Sequence, residues 1–236
     1  MDQRKMDKEH VLDTILNGEI VVEGRFVDAS NATLFAKAVM GEDSVSVIYK
    51  PIAGEQPLWD FPDGHLAHRE YAAYLFSHEL GLSLVPFTTL RDGPFGPGSV
   101  QQWIEVDSSI DVVDYVQSSP ETLRLMAIFD AIVNNTDRKF GHILITEDYQ
   151  IFGCDHGLTF HEDDKLRTVL WNWSESEFTE TEIALLRRAK ESVEVLSGLI
   201  TPVEIEALTT RIERLLELGI FPAPSELWPP VPWPPY

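Results

Sequence analysis

The sequence predicts an α+β chain with a β-rich first half, a mostly helical second half, and one short hairpin set among the later helices. Three observations lead there. Between Glu19 and Lys50 the runs EIVVEGRFVDA, ATLFAKAVM and SVSVIYKP are separated by polar breaks at Asp28–Asn31 and Gly41–Asp43, the pattern of an antiparallel meander. After Val106 the apolar residues fall mostly at helical spacing. The length, 236 residues with 44% of them hydrophobic, is enough for a real core, as one large domain or as two lobes sharing a cleft.

Taken in order, residues 7–17 (DKEHVLDTILN) form a short helix ending near Gly18, and the three meander strands follow. Residues 51–66 are rich in Pro, Gly and Asp and read as a loop. Residues 67–80 (AHREYAAYLFSHEL) are helical, with Gly81 as the stop. SLVPFTTLRDGPFGPGSVQQWIEV gives two strands around a turn at Asp92–Gly98. Residues 109–118 and 120–135 are helical, with Pro120 in a first turn. The hairpin pairs Ile143–Thr146 with Gln150–Cys154 across Glu147–Tyr149. Residues 179–197 and 202–218 are amphipathic helices, and FPAPSELWPPVPWPPY is an extended segment of polyproline character. The boundaries expected are 1–105, 106–220 and a Pro/Trp-rich tail at 221–236.

Charge narrows the function classes. Lys and Arg number 18 against 39 Asp and Glu, a net charge of −21. Nucleic acid and anionic membrane surfaces are repelled by such a field, and no run of basic residues overrides it. An acidic chain that handles a phosphate needs a metal ion to mediate the contact. With Cys154 as the one cysteine, no intrachain disulfide forms, which fits a reducing, cytoplasmic setting. The start, MDQRKMDKEHVL, has no apolar core of a secretion signal, and no stretch approaches the 18 apolar residues of a transmembrane helix.

The chemistry concentrates in NNTDRKFGHILITEDYQIFGCDHGLTF, Asn134 to Phe160. Asp137 and His142 flank a tight turn containing Gly141, and Asp155 follows the returning strand, with Gly157 allowing a sharp turn. A hairpin brings its ends together, so Asp137, His142 and Asp155 face one cavity. A carboxylate there, with one further ligand, holds Mg2+ against phosphate oxygens. The second carboxylate accepts a proton from a hydroxyl nucleophile.

This arrangement resembles the catalytic core of protein-kinase-like phosphotransferases, with a D-x-x-x-x-N loop and a D-x-G metal turn. NTDRKFGHILI…IFGCDHGLTF is similar to the corresponding run of phosphatidylinositol 3-/4-kinases, especially the type II 4-kinases, and of HipA-like kinases. With YKPIAGEQPLWDFPDG and LRDGPFGPGSVQQWIE it most resembles a phosphatidylinositol 3-/4-kinase-like actinobacterial family, over residues 19–173.

The resemblance implies a two-lobed protein-kinase-like fold, with a β-rich N-lobe and a mostly helical C-lobe, that binds ATP with Mg2+ or Mn2+. It assigns Asp137 as the catalytic residue and His142 and Asp155 as metal ligands. Ser30, Asn31 and Ala32 form the loop over the phosphates. Lys50, in preference to Lys37, meets the α/β-phosphates, and Glu70 pairs with it. The connector Gln102, Trp103 and Ile104, within QQWIE, binds adenine through its backbone. One departure stands out: His142 replaces the usual Asn, and imidazole suits Mn2+ or Zn2+ better than Mg2+.

Plainer roles compete. Asp137 can cap a turn, Asp155 can close an Asx turn, and His142 can be a turn residue. Lys50 can be a solvated strand end and Glu70 a solvated helix face. His156 is read as shaping the turn, His161 as a surface residue, Arg138 as a brace, and Cys154 as a small buried strand residue. Trp171 and Trp173 are read as core, and the acidic runs HEDD and ESE as solvated surface. Besides an ATP-dependent phosphotransferase acting on a protein hydroxyl, a small alcohol or an inositol headgroup, two functions compete. One is a pseudokinase that binds nucleotide or serves as a scaffold; the other is a metal-dependent phosphohydrolase using Asp137, His142, Asp155 and His156.

Overall fold

The structure, a computed structural model, describes residues 7–26, 31–62 and 64–236. Helix α1 (Lys8–Asn17) starts where the Asp7 carboxylate accepts the His10 N–H at 2.8 Å, satisfying one free donor of the first turn. Strands β1 (Glu19–Arg25), β2 (Leu34–Met40) and β3 (Asp43–Pro51) form the expected meander, then β4 (Thr88–Gly93) and β5 (Gly96–Gln102) complete one antiparallel sheet in the order β1-β2-β3-β5-β4. The β4–β5 turn is tighter than the Gly/Pro run suggests, since Gly93 pairs with Gly96.

Alternation along the strands sets the site. Val45, Val47 and Tyr49 of β3 point into a small core with Ile15, Ile20, Leu34, Ala36 and Val100. Side chains alternate faces, so Lys50 is turned to the opposite side. It pairs in register with Ser99, and β5 lies close there because Gly98 has no side chain: a Cβ would meet the Lys50 carbonyl oxygen at 2.4 Å.

Helix α2 (Leu66–Glu79) is covered on several sides, which explains why it lacks a clean apolar stripe. Ala72, Ala73 and Phe76 join the larger core, while Arg69 and Glu70 are buried polar residues. The second lobe consists of α3 (Val112–Gln117), α4 (Glu121–Val133), the hairpin β6 (Ile143–Ile145) and β7 (Ile151–Gly153), α5 (Glu180–Glu191) and α6 (Pro202–Leu218). From Met126 to Val133 every residue of α4 is buried, so this helix is the spine of the lobe. Helices α5 and α6 each begin with a reciprocal capping box, Thr179 with Glu182 and Thr201 with Glu204.

Three local expectations shift. Pro120 precedes α4 as its N-cap rather than lying inside it. The helix expected over 179–197 breaks at Ser192 into a 3-10 turn, Val193–Leu196. The tail lies on the second lobe: the Pro230 carbonyl accepts the Thr168 N–H at 3.0 Å and the Trp171 indole N–H at 2.9 Å, and the Pro235 carbonyl accepts the Phe140 N–H at 2.9 Å. Among the described residues no helix is long and apolar enough to cross a membrane.

Candidate functional site

Lys50 is the meeting point of the two lobes. Its ammonium donates to Glu70 Oε1 of α2 and to Asp155 Oδ1 at 2.8 Å, just beyond β7. The other Glu70 oxygen accepts the His156 N–H at 3.0 Å, tying α2 to the same turn. Lys37, the rival lysine, pairs with Glu23 on the neighbouring strand at 2.8 Å. Burial opposes the charge on Lys50, but Asp155 and Glu70 outweigh it and raise its pKa above the usual lysine value. Lys50 in turn holds Asp155 well below the carboxylate range against the opposing effect of burial. Burial pushes Glu70 upward although Lys50 opposes it.

The sharp turn comes from Asp155 itself, with φ 57° in the left-handed region, rather than from Gly157. Gly157 matters for closeness: a Cβ there would sit 3.4 Å from Leu66 Cβ and 3.7 Å from Glu70 Oε1.

The loop carrying Asp137 is held from behind. Asn134 ends α4 in the left-handed conformation, and the Asn135 side-chain oxygen accepts the Asp137 N–H at 3.0 Å. Arg138 is fully buried. It makes paired bonds to Asp130, through Nε at 2.9 Å to one oxygen and a terminal nitrogen at 2.9 Å to the other. It also donates to the carbonyls of His142 (3.3 Å) and Cys154 (3.0 Å) and to His156 Nε2 (2.7 Å). One guanidinium thus joins α4, the Asp137–His142 loop and the Asp155 turn. As Arg donates only, His156 Nε2 is the acceptor and its proton is on Nδ1. Burial, then Arg138, keeps that ring neutral.

Asp137 faces the cleft with Lys139 Nζ 3.2 Å away, and burial raises its pKa although Lys139 opposes this. His142 Nε2 lies 3.4 Å from Asp155 Oδ2, so the structure brings His142, Asp155 and Lys50 together. Burial lowers the His142 pKa to about 4, so the ring is neutral and able to act as a ligand at pH 7. Its Nδ1 is buried with no hydrogen-bond partner among the described residues.

The upstream parts need correction. Ser30 lies outside the described residues. Ala32 donates its N–H to Gly54 at 3.2 Å, and the Asn31 side chain accepts from Gln56 N–H at 2.8 Å, so both brace the 52–56 loop. The Ala32 N–H therefore has no freedom to bind a phosphate. In the connector, Gln102 donates its N–H to Phe87 at 2.8 Å and Trp103 donates to Ser46 at 3.0 Å. The Trp103 ring packs on Phe26 and Phe35. Of the connector trio, Ile104 keeps a backbone N–H with no acceptor among the described residues.

His161 is not a surface residue: it is buried, stacks edge-on with Phe61 and meets Lys165 Nζ at 3.1 Å. Asp164, in the acidic run HEDD, is an anchor paired to Arg211 (2.9 Å) and Arg214 (2.5 Å). Those pairs line an open hollow beside α6, whose lining includes none of Lys50, Glu70, Asp137, His142 and Asp155.

The donor set fits a divalent cation of a particular kind. One ammonium between two carboxylates leaves a negative charge, and half of the Asp155 side chain remains exposed to the cleft. Among the described residues no group of three or more His, Cys, Asp and Glu forms a metal cage. One carboxylate and one neutral imidazole therefore suit an ion that brings further oxygen ligands with it, as a nucleotide-bound Mg2+ or Mn2+ does.

A Mycobacterium tuberculosis protein, Rv2133c, is 40% identical over 268 aligned positions, covering 97% of this chain and 95% of the relative. The chain belongs to the Rv2133c family. No family model matches the sequence. Among solved structures, the Helicobacter pylori proinflammatory kinase CtkA superposes with a TM-score of 0.51 at 13% identity, covering 87% of this chain and 94% of that one. At that identity the likeness concerns the fold, and the fold of this Rv2133c relative is the two-lobed, kinase-like one.

Sequence reasoning missed Asp130, Lys139, Arg167 and the seat of the tail on the second lobe. Asp130 could have been found, because a carboxylate in the middle of an apolar helix needs a buried cation. Arg167, whose Nε donates to the Thr136 carbonyl at 2.9 Å beside Asp137, left no such signal.

Proposed function

We propose that this protein is an ATP- and divalent-cation-dependent phosphotransferase that delivers a phosphoryl group to a hydroxyl acceptor. The observation that carries the reading is Lys50 Nζ shared between Glu70 and Asp155, beside the loop of Asp137 and His142. Lys50 orients the α/β-phosphates and Glu70 fixes Lys50. Asp155 and His142 hold Mg2+ or Mn2+, which when bound supplies charge neutralisation on the phosphate oxygens. Asp137 orients the acceptor hydroxyl and takes its proton; the pKa raised by burial suits that task. Positioning and electrostatics do most of the work.

The resemblance to phosphatidylinositol 3-/4-kinases and HipA-like kinases supports the reaction class. The net charge of −21 favours a protein hydroxyl or small alcohol over a membrane lipid headgroup. A second reading, nucleotide binding without turnover, is favoured by His142 where the resemblance has Asn.

Calorimetric titration with ATP in Mg2+, Mn2+ and EDTA tests the reading. Metal-dependent binding that disappears in Asp155→Asn supports it, and phosphate transfer or release separates the enzyme from the silent binder. No binding under any of the three conditions overturns both.

A further inference from the structure

The Pro/Trp-rich tail lies along the backbone that holds the catalytic aspartate. Phe140, whose N–H donates to Pro235, lies between Asp137 and His142. Thr168, whose N–H donates to Pro230, bridges to Arg138, and the neighbouring Arg138 N–H donates to the Arg167 carbonyl at 3.1 Å. Prolines 229, 230, 232, 234 and 235 have no N–H, so the segment contributes carbonyl acceptors to free donors on the lobe.

Rings complete the strip. Tyr236 lies 5.9 Å from Phe140, and Lys165 Nζ sits between Trp228 (5.1 Å) and Trp59 (5.3 Å). Pro232 is buried, yet Leu227 is 87% and Trp233 90% exposed, so the segment is seated on the surface rather than built into the core. An aromatic strip meeting proline carbonyls is the chemistry of grooves that receive extended proline-rich polypeptides.

We infer that the strip formed by Phe140, Thr168, Trp171, Lys165 and Trp59 is a docking groove for an extended, proline- and aromatic-rich polypeptide acceptor, and that residues 228–236 occupy it in cis. This rests on the phosphotransferase reading above. A polypeptide seated here places a side-chain hydroxyl beside Asp137 only after the tail has left.

The test compares the full chain with a chain ending at Leu227, together with a synthetic peptide of residues 226–236. The peptide binds the shortened chain without nucleotide, and binds the full chain far more weakly because the tethered copy competes. If the tail fills the groove nine-tenths of the time, its removal raises transfer to an unstructured polypeptide about tenfold at sub-saturating acceptor, with ATP affinity unchanged. The peptide competes with the polypeptide and not with ATP.

Trp228→Ala in the full chain, which removes the tail's own ring from Lys165 and leaves the groove intact, moves transfer in the same direction by less and covers the case of a misfolded truncation. Unchanged or reduced transfer in both variants, or no peptide binding by a shortened chain that still binds ATP, overturns the groove. No ATP binding by either chain overturns the phosphotransferase reading, and the acceptor role with it.

Discussion

Replacing Arg138 with Met strands the Asp130 carboxylate in the core. Both side chains have no exposed surface, and Nε and a terminal nitrogen reach the two carboxylate oxygens at 2.9 Å each. Breaking one side of such a buried pair costs about 3–5 kcal/mol, because the remaining charge has neither water nor a counter-ion. Asn135 at 3.0 Å still donates to Asp130, but a neutral amide does not replace a guanidinium. Against a total stability of about 5–15 kcal/mol, that is a large fraction.

Urea unfolding is the assay. With a slope of about 2.5 kcal/mol per molar, the midpoint falls by about 1–2 M. Asp130→Leu alone strands the guanidinium and costs a similar amount. The double variant, with Met facing Leu, regains much of the loss, so the two effects fall short of additivity by about 2 kcal/mol or more. A double variant whose loss equals the sum of the singles would refute the reasoning, as would single losses below about 1 kcal/mol.

Three further outcomes follow from the geometry. Glu70→Gln keeps one acceptor and turns an amide donor toward either Lys50 or the His156 N–H, so it lowers ATP affinity about tenfold to a hundredfold by calorimetry and the melting temperature by about 2–10 °C. For Glu182, burial alone would raise the pKa, but bonds from Arg124 and Thr179 outweigh it and hold it below 4.5, so its stabilisation is present above that pH and is lost as pH falls through the lower folded value. Thermal melts of Glu182→Gln therefore show a lower midpoint at pH 7 and a shallower fall below pH 4.5. Cys154 is half-buried just past β7 rather than a buried strand residue, yet desolvation of its thiol and the neighbouring Asp155 push it to about 12, so iodoacetamide at about pH 8, where the thiolate is on the order of one part in ten thousand, modifies it only after unfolding in urea.

What the sequence shows plainly is whatever depends on local period or chain order. The meander, the α2 stop at Gly81 and the approach of His142 to Asp155 follow from alternation, a left-handed glycine and hairpin closure. Chain order favours Lys50 over Lys37, and in the fold Lys50 reaches α2, whereas Lys37 pairs across the outer strands. What stayed hidden depends on contacts distant in sequence. Nothing near Ala32 signals that its N–H serves Gly54, and nothing near Trp103 signals that its N–H serves Ser46. The burial of His161 likewise depends on Phe61, a hundred residues earlier.

Asp155, finally, sits at φ 57°, in the left-handed region that Gly enters freely and Asn and Asp at a small cost. The Asp155 side chain is half exposed, so solvent screening leaves its ion pair with Lys50 a modest net contribution, which the backbone strain partly offsets. Exchange of this carboxylate for Asn or Gly leaves the melting point almost where it was. The fold thus exerts little pressure to keep the residue. Persistence of the aspartate across a set of relatives would then point to a role in the cleft rather than to the fold.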